Sequence, residues 1–335
     1  MGLGITVIIC TYNGEQVLPD TIRHLALQQV PSDIAWEVIV VDNASTDTTP
    51  IIAVAEWEKH ACPIPFKLLS QPRKGLAHAR EMALMNASYE FILFCDDDNW
   101  LSPDYLSLAF RLLESKPSIG VLGGHGKLVF ETSPPLWAKS FSAFASGPQA
   151  ATSGKVKYNA VYGAGCVVRK SAFEKLKRAG FTPMLTDREE NGLSAGGDYE
   201  LCYAIALAGY DIWYDERLVF KHFMPQKRIN WTYCMRLLKE GAQSLEVLIP
   251  FRIRINMQCS NHLLFDWKAF NVLLYYTRKM LPLLLRGKVL KPGTEEALEN
   301  KLRFFNLLYK ILAFKHYKAM RQNYLKIKSF EKCLL

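Results

Sequence analysis

The chain has 335 residues, a length that suits one large domain with an appendage. With 50% hydrophobic, 12% aromatic and 22% charged residues it can bury a sizeable core, which excludes a disordered or fibrous protein. The formal charge of +9 is uneven: from Gly241 onward 17 Lys and Arg face 6 Asp and Glu, a local +11, so the rest of the chain is close to neutral.

The first half alternates short apolar runs with helical periodicity. Ile5–Cys10 reads as a strand, and Gln16–Gln29 carries Val17, Ile22, Leu25 and Leu27 at mostly helical spacing. Glu37–Val41 is a second strand, followed by a helix that Thr46 or Asp47 caps and that runs through Trp57. Phe66–Leu69, a helix over Leu76–Met85 and a strand over Phe91–Cys95 come next. Ser102 and Pro103 then read as the cap and first residue of another helix. Strands alternating with helices predict βαβ units, and fully apolar strands predict a sheet covered on both faces.

After Gly120 the rhythm changes. Ile119–Val129 and Val161–Val168 read as strands, separated by a Ser-, Pro-, Ala- and Gly-rich stretch from Thr132 to Gly154 that suits a loop over a site. A helix around Asp198–Ala208 and short strands at Ile212–Tyr214 and Leu218–Phe220 complete the body. From Ile229 the chain reads as mainly helical, broken at Gly287–Gly293. The eight cysteines form no C-x-x-C pair and most sit in apolar runs, the pattern of small buried hydrophobes in a reducing compartment. No run approaches the roughly 18 uncharged apolar residues of a membrane span. The N-terminus opens straight into a strand, without a basic leader, so the expected location is cytoplasmic.

In open α/β sheets ligands bind beyond the carboxyl ends of the strands. Here the first strand runs into Thr11, Tyr12 and Asn13, the second into Asp42 and Asn43, and a later one into Asp96, Asp97, Asp98 and Asn99. Three adjacent carboxylates repel one another, and a divalent cation such as Mg²⁺ or Mn²⁺, which bridges carboxylates to phosphates, relieves the repulsion. A solvated acidic turn is the plainer alternative. Neither a G-x-x-x-x-G-K-[ST] loop nor a G-x-G-x-x-G after the first strand is present, which disfavours a P-loop nucleoside triphosphatase and a dinucleotide oxidoreductase.

Ile5–Asn13, Val38–Asp47, Arg73–Arg80 and Phe91–Asp98, in this order, resemble the conserved blocks of family 2 glycosyltransferases with the GT-A fold. The resemblance spans roughly residues 4 to 245. It implies a Rossmann-like, mostly parallel sheet with helices on both faces and an inverting transferase that uses a nucleotide-sugar. It divides the chain into a glycosyltransferase domain over 1–245, with a nucleotide-binding half to about 125 and an acceptor half from about 126. A basic, mainly helical extension over 246–335 follows.

By the same resemblance Thr11, Tyr12 and Asn13 line the nucleotide pocket with Asn43, Asp96 and Asp97, Asp42 contacts the base, and Arg80 lies near the nucleotide. Asp98 is the leading ligand of Mn²⁺ or Mg²⁺, with Asp96 and His222 as further ligands. Gly196–Cys202 resembles the E-D-x-E/D-L block, with Gly197 in place of its first acid. Asp198 then matches the catalytic base, and Glu200 orients the base or the acceptor. Two apart at a helix start, these two do not share a face.

The residue types suit these roles, although Tyr12 also reads as core, Arg80 as a surface ion pair, Asp198 as a helix cap and His222 as structural. Gln226–Trp231 matches the Q-x-x-R-W block of polymerising synthases only loosely, with the wrong spacing. The implied partners are a nucleotide-sugar donor and a saccharide or lipid-linked acceptor, with no nucleic acid. A nucleotidyltransferase and a non-catalytic relative are the rival readings. On one continuous helical wheel over 300–330, Arg303, Lys310, Arg321 and Lys328 form a basic stripe opposite Phe305, Leu308, Leu312 and Phe330, which suits an anionic membrane surface.

Overall fold

The computed structural model describes residues 2–139, 141, 143–186, 192–193, 195–259 and 261–334. Its first half builds β1 (Gly2–Thr11), α1 (Leu18–Ala26), β2 (Trp36–Asp42), α2 (Thr49–Lys59), β3 (Phe66–Ser70), α3 (Leu76–Asn86), β4 (Tyr89–Phe94), β5 (Asn99–Leu101) and α4 (Tyr105–Ser115). Then come β6 (Ile119–Phe130), the short α5 (Leu136–Lys139), β7 (Gly154–Lys155), β8 (Val167–Arg169), α6 (Lys170–Arg178), α7 (Gly197–Leu207) and β9 (Asp211–Met224). Five helices close the chain: α8 (Trp231–Gly241), α9 (Leu245–Asn256), α10 (His262–Val289), α11 (Glu295–Leu312) and α12 (Tyr317–Leu334). Among the described residues no helix is long and apolar enough to cross a membrane.

One sheet runs in the order β3-β2-β1-β4-β8-β6-β9-β5, with β7 also on β9. The parallel pairs β2–β3, β1–β2, β1–β4 and β6–β9 point one way, while β8, β5 and β7 run against their neighbours. The sheet is therefore mixed around parallel core strands, as the expected Rossmann-like architecture requires, with the short β5, β7 and β8 added antiparallel. Ile5, Val7 and Ile9 of β1 pack towards α1, α2 and α4, while Ile8 faces α3, α6 and α7. Leu18, Ile22 and Leu25 form the i, i+4, i+7 stripe that seats α1, each fully buried and contributing roughly 1.5–3 kcal/mol.

Register builds the site. Thr11 lies beside Asp42 at the carboxyl ends of β1 and β2, and Asn99 pairs with His222 across β5 and β9. Neither the three-residue β5 nor the length of β9 is evident from periodicity. The two expected strands at Ile212–Tyr214 and Leu218–Phe220 are one strand, which stays beside β6 through a register shift between Gly123 and His125.

Three other expectations are corrected. Ser102 does not cap α4: its N–H is drawn to Val219 of β9, its carbonyl accepts from Tyr105, and its hydroxyl is buried without a hydrogen bond. Of the expected Val161–Val168 strand only Val167 and Val168 are regular, within β8, because Gly165 takes φ +66° and the Gly163 N–H is spent on the Asp198 side chain. Gly287 sits inside α10, so the helical break begins at Leu290.

The C-terminal helices fold back onto the body. Val247, Leu248 and Phe251 of α9 share a buried cluster with Tyr203 of α7 and Ile327 of α12, and Phe330 packs against Phe181. A 3₁₀ turn at Ala313–His316 separates α11 from α12, so the 300–330 wheel is not one helix. The expected basic stripe is dispersed: Arg303 sits 3.8 Å from Glu299, Arg321 3.5 Å from Asp266, and Lys310 points into the main cleft.

Candidate active site

A cleft of about 720 Å³ opens beyond the carboxyl ends of β1 and β4, the edge where an α/β sheet offers its loops. Thr11, Tyr12, Asn43, Arg80, Asp96, Asp97, Asp98, Asp198 and His222 all line it. Asn13, Asp42 and Glu200 do not.

At one end, Tyr12 is 44% exposed and so is not core; Lys74 lies 4.9 Å from its ring centre and donates to its hydroxyl at 3.1 Å. Asn43 is buried and ties down the loop before α3, donating to the carbonyls of Gln71 and Arg73 and accepting from the Gly75 N–H. Asn13 turns away from the cleft, where its side chain accepts from the Thr46 N–H at 2.8 Å. The buried Asp42 accepts from the Ser45 N–H at 3.3 Å. Both residues thus shape the loop after β2. Arg80 reaches the cleft from α3 with its guanidinium over the Phe94 ring.

The three adjacent carboxylates are handled differently. Thr11 donates to Asp97 at 2.7 Å, and burial together with the Asp98 charge pushes Asp97 up to about 6. Gly14 permits this contact, because a Cβ there would lie 2.3 Å from Thr11 Oγ1 and 2.8 Å from Asp97 Oδ2. Asp98 is buried and charged. Burial alone would raise its pKa, but His222 and Arg228 hold it well below the usual carboxylate range. Arg228 donates to Asp98 Oδ2 at 2.5 Å, Asn99 donates to Oδ1 at 2.9 Å, and His222 Nε2 lies 3.6 Å from Oδ1. The same carboxylate holds the buried His222 above its ordinary pKa against the opposing effect of burial, while Nδ1 faces the Ala145 carbonyl at 3.2 Å.

Asp198 lines the same cleft from the first turn of α7. Gly196 occupies the cap position, so Asp198 is not the cap; its Oδ2 accepts from the Gly163 N–H at 2.6 Å and Oδ1 from the Tyr199 N–H at 2.9 Å. A carboxylate has about four acceptor positions, so these contacts aim it without exhausting it. Glu200, two residues on, points the other way. It is buried and accepts from the backbone N–H groups of Met184 and Leu185 at 2.8 and 2.9 Å. It therefore holds a segment of backbone and is not brought to the reacting space.

Sequence reasoning missed four cations that line this cleft: Lys74, Arg228, Arg252 and Lys310. Only Arg228 carried a signal, its place shortly after His222. The helical wheel assigned Lys310 to the stripe for an anionic membrane surface.

The family model described as glycosyl transferase family 2 matches residues 6–177. Among curated proteins, the succinoglycan biosynthesis protein ExoM of Rhizobium meliloti is 31% identical over 140 residues, 41% of this chain and 43% of that protein. The poly(ribitol-phosphate) beta-N-acetylglucosaminyltransferase TarS of Staphylococcus aureus is 31% identical over 113 residues, 34% of this chain and 19% of that protein. The matches thus span less than half the length of these relatives. Among solved structures, a mannosyltransferase from Pyrobaculum calidifontis in complex with GDP-Man and Mn²⁺ superposes with TM-score 0.59 at 19% identity, covering 92% of this chain and 86% of that one. Residues 1–349 of TarS in complex with UDP-GlcNAc give TM-score 0.51 at 16% identity, covering 94% and 92%.

Proposed function

The chain belongs to glycosyl transferase family 2, and from that premise we propose that it is a glycosyltransferase that moves one sugar from a nucleotide-diphosphate sugar to a hydroxyl of a saccharide or lipid-linked acceptor, with inversion, in polysaccharide or glycolipid assembly. The observation that carries the reading is one cleft lined by carboxylates from two elements, Asp96–Asp98 after β4 and Asp198 on α7. One set suits the leaving diphosphate and the other the incoming hydroxyl.

Tyr12 offers the donor an exposed aromatic face, and Lys74 and Arg80 offer positive charge beside it. In the reaction the acceptor oxygen forms a bond to the anomeric carbon as its proton passes to the Asp198 carboxylate. The bond from that carbon to the diphosphate oxygen breaks, and its electron pair leaves with the nucleotide. A positioned general base is worth typically 10²–10⁴-fold. The N–H groups of Gly163 and Tyr199 fix the Asp198 carboxylate for that transfer.

The donor set also fits a divalent cation. No cluster of three or more His, Cys, Asp or Glu suited to a metal occurs among the described residues. Asp98 with His222, beside Asp96, nevertheless offers oxygen and imidazole donors to an ion that takes its other ligands from phosphates and water, as Mn²⁺ and Mg²⁺ do. Such an ion supplies Lewis-acid stabilisation of the departing diphosphate. Arg228 already shares Asp98 and can supply positive charge from the protein itself.

The reading is tested by screening UDP-, GDP- and other nucleotide-sugars for nucleoside diphosphate release with saccharide acceptors, in Mn²⁺, Mg²⁺ and EDTA, and by assigning the product anomer by NMR. A retained anomeric configuration, or release unaffected by Asp198→Asn, refutes it.

A further inference from the structure

The cleft does not stop at Asp198. Behind α7 it continues against α9 and α11, where Arg252 and Lys310 line it. Arg252 donates from Nε to the Tyr203 hydroxyl at 3.0 Å, and Lys310 Nζ lies 5.9 Å from the Tyr276 ring centre. Among the described residues neither cation has a carboxylate partner. They are close enough to repel, since burial and then the Arg252 charge hold Lys310 below its ordinary pKa. A fold that needed only soluble helices would turn these side chains outward, because two like charges in a partly desolvated space cost free energy until an anion joins them. Tyr199 lies within electrostatic reach of both Asp198 and Arg252, which links this end of the cleft to the proposed base.

Resting on the transferase reading, we propose that Arg252 and Lys310 form a subsite for a phosphate or diphosphate ester carried by the acceptor. The guanidinium fork matches phosphate oxygens in pairs, and the ammonium adds a point charge. The donor diphosphate is assigned to the strand-end residues and this subsite to α9 and α11, so the two anions would use different elements of one cleft. Titrations of protein saturated with nucleoside diphosphate and Mn²⁺ test this, with geranyl diphosphate as a lipid-linked probe, glycerol 3-phosphate as a polymer-like probe and geraniol as the uncharged control. The expected result is binding of one or both phosphate probes but not geraniol, and the probe that binds identifies the source. Arg252→Gln and Lys310→Gln should each weaken that binding about tenfold or more, Lys310→Arg should restore it, and nucleoside diphosphate affinity should stay within about twofold. Phosphate-probe affinities unchanged in both Gln variants, or no binding of either probe by the wild type, overturn the subsite. Phosphate binding without nucleoside diphosphate binding would instead support the subsite and sink the transferase reading.

A different surface carries a second inference. Helix α10 has 28 residues but buries only Phe265, Ala269 and Tyr276. Leu263, Trp267, Phe270, Leu281 and Leu285 are exposed, Trp267 by 62% and Leu285 by 64%, and at 100° per residue they lie within about 60° of one another. Arg278, Lys279 and Lys288 are exposed on the same helix, while its single acid, Asp266, is held by Tyr317 and Arg321. On the same wheel Lys288 lies at one edge of the stripe and Arg278 about 20° beyond the other, with Lys279 further round the helix, and an exposed apolar stripe edged by unopposed positive charge is complementary to anionic lipid. We infer that α10, and not a stripe over 300–330, docks the protein on an anionic bilayer. Flotation with phosphatidylglycerol and phosphatidylcholine vesicles at low and high salt tests this. Wild type should float with the anionic vesicles, the triple variant Trp267→Ser, Phe270→Ser, Leu285→Ser should not, and Arg278→Gln with Lys279→Gln and Lys288→Gln should lose the preference for negative charge. No flotation of wild type, or flotation unaffected by the Ser substitutions, overturns it. So does a dimer in sedimentation velocity that those substitutions dissolve, which would assign the stripe to a second copy.

Discussion

Replacing Arg228 with Gln isolates the ion pair that organises the proposed donor site. The Asp98 side chain is 5% exposed and that of Arg228 23%, so a buried carboxylate meets a half-buried guanidinium at 2.5 Å. Removing one partner of a buried pair costs about 3–5 kcal/mol, because the remaining charge has lost both solvent and counter-charge. Asp98 keeps Asn99 and the imidazole of His222, which places the expected loss for Arg228→Gln near the lower bound, about 3 kcal/mol. A divalent cation at the same carboxylate would replace the missing charge. At a hundred times its dissociation constant, a cation bound only by the folded state contributes about 2.7 kcal/mol. Chemical denaturation in EDTA and in Mn²⁺ therefore gives a double comparison. The variant should be less stable than wild type in EDTA and should regain most of the difference in Mn²⁺, whereas wild type should gain less because its guanidinium already occupies Asp98. Equal stability of the two proteins in EDTA, or equal gains in Mn²⁺, would refute the reasoning.

Asp198→Asn should lower turnover by about 100-fold or more with donor affinity nearly unchanged, measured by single-turnover kinetics; an unchanged rate excludes Asp198 as base. Glu200→Ala strands two backbone N–H groups and should cost about 2–5 kcal/mol in urea denaturation, while the fraction that stays folded keeps donor binding. Asp98→Ala should abolish Mn²⁺-dependent binding of nucleoside diphosphate in calorimetry, and undiminished binding would remove Asp98 from the metal site. The pH test uses Glu37, remote from the cleft. Burial opposes its ionisation, but Lys67, Ser88 and Thr6 hold its pKa below the ordinary 4.5. Its contribution is therefore present above about pH 4.5 and lost as pH falls through the lowered value, so wild type should lose more stability than Glu37→Gln between neutral and acid pH.

Local pattern determined a good deal by itself. Short apolar runs such as Ile5–Cys10 and Phe91–Phe94, alternating with helical segments, read as buried strands, and the polar residues that follow them fall at one edge of the sheet wherever the strands run parallel. The two-residue offset between Asp198 and Glu200 already separated their faces, and α7 turns one to the cleft and the other to backbone. Residues close in sequence share a geometry that helix and strand periods fix in advance.

What the tertiary structure decided are contacts between residues far apart in the chain. Arg228 meets Asp98 across 130 positions because β5 lies antiparallel to β9, and no period records which strands become neighbours. Ser102 reads as a cap until β9 claims its N–H, and Val161–Val168 reads as a strand until Asp198 claims the N–H of Gly163. Lys310 reads as part of a stripe for anionic lipid, and Arg252 as one more charge of the basic tail, until α9 and α11 fold back and bring both to the cleft. Periodicity encodes how much of a side chain's face is apolar, whereas the partner that satisfies a charge or an N–H depends on the order of strands and the return path of helices, and only packing sets those.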